Sequence, residues 1–169
     1  MTTPLLNNQK HFRKLDKSDL AGSAVVILLS VFLVWILFGD MLFRLNEVSF
    51  AKSGDGVKSY YSTIYHAKFD SSATHFGGMN YPYGEHYFYT DCQPFITSII
   101  KATSGTFLDL SSSAIGIVNG LMLFSMVIGA LFLYLILRKL RVNQVLSLLS
   151  ALILIGLSPQ VHRMGGHFS

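Results

Sequence analysis

The sequence predicts an all-α integral membrane protein: three transmembrane helices with a long outward loop carrying two interfacial helices. Three observations predict it. The chain has 169 residues, 51% hydrophobic and only 13% charged, about half the roughly 25% charge of soluble domains. Its apolar residues gather into long uncharged runs. Its basic residues stand beside those runs, with Lys10, Arg13, Lys14 and Lys17 before the first and Arg138, Lys139 and Arg141 between the last two. Basic clusters in those places set membrane topology, so the net charge of +4 does not point to a nucleic-acid partner. The single cysteine, Cys92, excludes an internal disulfide and says little about redox compartment.

Residues 1–19 read as a basic cytoplasmic N-terminus. The first span runs from Leu20 to Phe38; at 1.5 Å per residue it covers about 28 Å, close to the roughly 30 Å hydrocarbon core. A cleaved signal peptide is the rival. The run is longer than a signal h-region, and no small-x-small cleavage site follows it. The second span, Ala114 to Leu137, is long enough to cross with some tilt. Ser111, Ser112 and Ser113 supply N-cap candidates before it, and Asn119, Gly120 and Gly129 suit close packing against another helix. After a turn at 138–144, the third run is short. Val145 to Leu157 reaches bilayer length only with Ser158, Pro159 and Val161 at the interface, giving a span over 145–161, with a re-entrant or buried segment as the alternative. Residues 162–169 begin a second outward segment.

The N-terminus and the 138–141 turn are separated by two spans and lie on one side. Both are basic, so both are cytoplasmic by the positive-inside rule. In a bacterial inner membrane this makes residues 39–113 periplasmic. That loop carries five basic residues against seven acidic ones. Its first helix is expected near 56–69, with Val57, Tyr60, Tyr61, Ile64 and Phe69 as an apolar face suited to a membrane surface. Asp55 falls in its first turn, where the helix dipole favours a carboxylate. Ser71 to Thr90 reads as ordered loop rather than strand, with turn signals at Gly77-Gly78 and Tyr81-Pro82-Tyr83-Gly84. The second helix is expected near 94–102, opened by Pro94 and apolar along Phe95, Ile96, Ile99 and Ile100.

A basic N-terminus, one span, a loop opening with Asp-Gly-x-x-x-Tyr-Tyr, two interfacial helices and a return span resemble the start of a GT-C superfamily membrane glycosyltransferase. The strings YYSTIYHAKFDSSATHFGGMNYPYGEH and TDCQP resemble large multi-pass proteins of Bacteroidetes. The resemblance implies a sugar donor linked to polyprenyl phosphate and chemistry at the outer membrane face. It implies an N-terminal portion of a longer polypeptide, which is too short to be active alone. Asp55 matches the family's first-loop acid, with the role of general base toward an acceptor hydroxyl, or of divalent-metal ligand in members that use one. Where many members have two adjacent acids, Gly56 follows Asp55 here. Glu85 or Asp91 is then the candidate second carboxylate.

Other residues admit both a functional and a plain reading. Tyr60, Tyr61 and His86 can contact a sugar, although tyrosines at an interface also serve as anchors. Arg163 and His167 follow the third span and can neutralise a carrier phosphate, or be ordinary interface residues. Glu85, His86 and Asp91, beside His75, offer oxygen and imidazole ligands, but their spacing matches no strong zinc pattern and Cys92 has no CxxC partner. The sequence contains no P-loop, GxSxG or HExxH. Two alternatives to the enzyme remain. One is a non-enzymatic envelope scaffold whose aromatic loop binds partners or glycan. The other, ranked below it, is a transporter component, which would want ionisable groups within its spans.

Overall fold

The computed structural model describes residues 14–51, 54–90, 93–104 and 108–157. Among these the chain is mostly helical, with five α-helices: α1 (Lys17–Leu42), α2 (Asp55–Phe69), α3 (Pro94–Ser104), α4 (Ala114–Lys139) and α5 (Gln144–Leu157). Two helical runs, Lys17–Leu42 and Ser111–Lys139, are long and apolar enough to cross a membrane, whereas Gln144–Leu157 is an apolar helix shorter than that.

α1, α4 and α5 pack as a three-helix bundle. Val26 and Val34 of α1, Leu123, Met126, Val127, Ala130 and Tyr134 of α4, and Ala151 and Ile155 of α5 form its core. The opposite faces are apolar too. Leu28, Phe32, Ile36, Phe124, Phe132 and Ile153 are all exposed, as in helices that are hydrophobic all round.

The helix boundaries have identifiable causes. α1 begins at Lys17, earlier than the apolar run, because Asp16 and Asp19 form a reciprocal capping box. The Asp19 amide donates to Asp16 Oδ1, and the Asp16 amide donates to Asp19 Oδ2, each at 3.0 Å. Its far end continues to Leu42 through a break at Phe38, just before Gly39, where φ is −131° and ψ is 21°. α4 matches the expected second span at its start, but its cap differs. Ser111–Ser113 form a 3-10 turn, and Ser113 makes no side-chain cap bond. The cap comes from Asn46, 70 residues away, whose Oδ1 accepts the Gly116 amide at 3.0 Å while its Nδ2 donates to the Ser112 carbonyl at 2.8 Å. The incoming loop thus satisfies an orphan amide that the serines leave open.

At the other end of the bundle Arg138 is not a free basic residue of the turn. It lies in the last turn of α4, 6% exposed, and its Nε donates to Asp19 Oδ1 at 2.6 Å, with Asp19 1% exposed. Its guanidinium also donates to the Val142 carbonyl at 2.6 Å. Burial of the apolar seam between α1 and α4 would strand either charge alone, so the two are buried together. The exposed basic residues of this turn are Lys139 and Arg141. The seam is closest at Gly22, where a Cβ would collide with the Tyr134 hydroxyl and ring. Gly129 is not such a point, since a Cβ there would meet nothing described within 4 Å.

The segment between α1 and α4 folds over the end of the bundle where α4 begins. α2 packs against α3 and α4. Ala67 of α2, Ile96 and Ile100 of α3, and Leu110, Ala114 and Ile117 join in one small core. The expected loop at 71–90 contains two short strands, β1 (His75–Phe76) and β2 (Glu85–His86), paired antiparallel with His75 opposite His86 and Phe76 opposite Glu85. The turn residues around Gly77 and Gly84 read as irregular in sequence because they close a hairpin. Gly84 has φ +67°, a conformation glycine adopts without strain.

Candidate functional site

α2 carries most of the candidate residues. Gly54, with φ +67°, turns the chain into the helix. Asp55 follows at the first helical position and is exposed. The apolar face expected of α2 is divided. Val57, Tyr61 and Phe69 are exposed, whereas Tyr60 is 6% exposed and lies in a core with Ala51 and Val118. The inward face of α2 is instead small and polar, with Ser59, Ser62, Thr63, His66 and Ala67 all buried. Small side chains allow close approach to α3 and α4, and periodicity of apolar residues alone does not reveal such a face.

Tyr60 is part of the frame beneath Asp55. Its hydroxyl donates to Asn119 Oδ1 and accepts the Phe50 amide at 3.2 Å. Burial pushes the Tyr60 hydroxyl above the ordinary phenol pKa, with the Phe50 amide opposing. Asn119, fully buried, donates through Nδ2 to the carbonyls of Leu45 and Val48, both at 2.7 Å. One amide thus holds the end of α1, the start of α2 and the first turns of α4 together. Asp55 opens the helix that this link ties to α4. Tyr61, 45% exposed, donates to the Gly78 carbonyl at 3.3 Å and meets the Tyr65 ring at 5.6 Å, tilted by 44°, leaving part of its ring accessible.

Glu85 and His86 sit in the hairpin at the other end of α2. Three contacts fix the hairpin there. The Gly77 amide donates to Asp70 Oδ1 at 3.0 Å, the Phe76 ring meets Tyr65 edge-on at 5.5 Å, and Tyr87 stacks on His66 at 3.7 Å. Asp55 and Glu85 stand on different elements, Asp55 opening α2 and Glu85 in β2. Glu85 accepts from Asn80 Nδ2 at 2.6 Å. His86 Nδ1 accepts the Phe88 amide at 3.3 Å, and its ring stacks on Phe88. His75 Nε2 lies 3.1 Å from the Tyr83 carbonyl. Asp91, Arg163 and His167 lie outside the described residues. Among the described residues no group of three or more His, Cys, Asp and Glu could hold a metal ion.

Sequence reasoning missed the densest polar cluster. His66 is 0% exposed, and its Nδ1 donates to Asp70 Oδ2 at 2.7 Å. Lys101 of α3 donates to the Asp70 carbonyl. The available signal was His-x-x-x-Asp, whose i, i+4 spacing puts both side chains on one helix face. Nearer α4, Asp109 is exposed and its carboxyl pKa is lowered, first by the Ser111 hydroxyl and then by the Ser111 amide.

Fold and site together define a helical protein with two apolar helices of membrane-crossing length and a polar, aromatic subdomain folded over one end of them. The profile of the family described as Domain of unknown function (DUF6311) matches residues 27–169, and the chain belongs to that family. No curated protein and no solved structure matches it.

Proposed function

We propose that this chain is the N-terminal portion of a GT-C-like membrane glycosyltransferase, moving a sugar from a polyprenyl-phosphate-linked donor to an acceptor at the outer face of a bacterial inner membrane. α1 and α4 are two of its spans, and α5 belongs to the third. The basic N-terminus and Lys139 and Arg141 face the cytoplasm, and the α2–α3 subdomain faces the periplasm with Val57, Tyr61, Phe95 and Ile99 toward the lipid surface. The pairing of Arg138 with Asp19 removes one charge of each sign from this count and leaves the basic excess in place.

The observation that carries the reading is the mounting of Asp55. It is an exposed carboxylate at a helix start, held over the end of the bundle by the buried Tyr60–Asn119 link. A general base must reach an acceptor hydroxyl and keep a fixed position, and it contributes about 10²–10⁴-fold to rate. Asp55 is the carboxylate that takes this role, with Glu85 or Asp91 as the candidate second group. In the full-length protein, Asp55→Asn should abolish transfer of a radiolabelled lipid-linked sugar and leave membrane insertion unchanged. Normal transfer by that variant rejects the assignment.

A second reading, an envelope scaffold whose aromatic loop binds partners or glycan, is favoured by the hairpin. Tyr81, Tyr83 and Tyr89 are 92%, 87% and 82% exposed. On that reading Asp55→Asn is silent, and replacing the three tyrosines with serine abolishes binding.

A further inference from the structure

The face of α2 turned toward the hairpin and α3 is polar where a protein core is usually apolar. Ser62 and His66 are 0% exposed and Thr63 3%, and beyond α2 Thr90 is 5% and Thr97 0% exposed. Two of these side chains bury an atom with no hydrogen-bond partner: Ser62 Oγ and His66 Nε2. Leaving such an atom dry is unfavourable, and native structures seldom leave two in one place.

The two atoms belong to one place. Ser62 and His66 are i and i+4 on α2, so their Cβ atoms lie about 6 Å apart. A helical side chain leans back over the preceding turn, which brings the His66 ring toward Ser62. The ring cannot turn to find another partner. Its Nδ1 is held by Asp70 Oδ2 at 2.7 Å, and its face lies against Tyr87 at 3.7 Å with 11° between the planes. A carboxylate accepts only, so Nδ1 donates to Asp70, and Nε2 is the ring nitrogen left buried without a partner.

From this pair of buried atoms we infer that α2 and the hairpin enclose a site for one ordered water molecule, bound between Ser62 Oγ and His66 Nε2. The water donates to Nε2 and accepts from or donates to the serine hydroxyl, completing a chain Asp70–His66–water–Ser62. A site of this kind suits water because it is polar on two sides and enclosed by the Tyr87 ring. Its effect is positional. It fixes the orientation of the His66 ring and, through the Tyr87 stack, the seat of the hairpin on α2.

The test is nuclear magnetic resonance of the full chain in detergent, labelled at histidine with ¹⁵N. The expected result is a His66 ring with the proton on Nδ1, an unprotonated Nε2 shifted by hydrogen bonding, and a cross-peak from the ring to a long-lived water. Ser62→Ala, which removes one partner and little volume, should abolish or shorten the lifetime of that water by at least tenfold while Nδ1 stays bonded to Asp70. A direct bond from the Ser62 hydroxyl to Nε2, a proton on Nε2, or a ring with no water contact would each overturn the inference. So would a water signal unchanged in Ser62→Ala.

Discussion

Replacing Asn119 with leucine should loosen the whole junction on which Asp55 stands. The substitution keeps approximate volume and removes three hydrogen bonds. The carbonyls of Leu45 and Val48 lose the Nδ2 donor, and the Tyr60 hydroxyl loses its acceptor while keeping the Phe50 amide as its own donor. At about 1–1.5 kcal/mol for each group left without its partner, the loss is about 3–4.5 kcal/mol, an appreciable part of a typical folding free energy of about 5–15 kcal/mol. Denaturation in detergent gives the global value, and hydrogen exchange of amides 45–60 locates it. Tyr60→Phe alone leaves the Phe50 amide and Asn119 Oδ1 without their partner and should cost about 2–3 kcal/mol. The two substitutions share one bond, so their combined effect should fall short of the sum by about 1 kcal/mol. Strict additivity, or an Asn119→Leu variant within about 0.5 kcal/mol of the parent, would refute the idea that this amide organises the junction.

Other consequences can be measured separately. Asp19→Asn leaves Arg138 buried without its counter-charge and should cost about 3–5 kcal/mol in denaturation, whereas Asp19→Leu combined with Arg138→Met should recover most of that loss. Tyr60 gives a pH dependence whose sign follows from its raised pKa. The folded state holds the phenol proton more tightly than the unfolded state, so the tyrosine's contribution is full below about pH 10 and is lost as pH climbs through the folded-state value. The stability difference between the parent and Tyr60→Phe should therefore be flat from pH 6 to 9 and shrink above 10, as read by denaturation at each pH. Gly84→Ala places a methyl group against the His75 ring and the Phe76 carbonyl at a positive φ; hydrogen exchange should show the hairpin opening while α1, α4 and α5 stay protected.

Much of the helical plan was legible because length and hydropathy decide it. Leu20–Phe38 and Ala114–Leu137 have no charge to interrupt them, and their helices appear in place with ends shifted by caps. The helix opened by Pro94 and the one after Asp55 were legible from local chemistry. The missed features depend on residues distant in sequence. Nothing near Gly116 announces that Asn46 will cap it, and nothing near Arg138 announces Asp19. Asn119 was read as a packing residue because its three partners come from two other segments. Tyr60 and Tyr61 are neighbours of one type, and only tertiary packing sends one inward and leaves the other on the surface. The Gly- and Tyr-rich stretch hid a hairpin because strands of two residues are too short to establish an alternating pattern.

The two asparagines of the junction have a consequence for tolerance to length changes. Asn46 reaches the third residue of α4, and Asn119 reaches back one turn later to the segment containing Asn46. A single residue inserted between Gly116 and Asn119 would swing the second side chain by about 100° around the helix, out of reach of its carbonyls, while the first remained engaged. Family members that gain or lose residues should therefore do so in the turn around Asn80, leaving the interval from 116 to 119 at constant length.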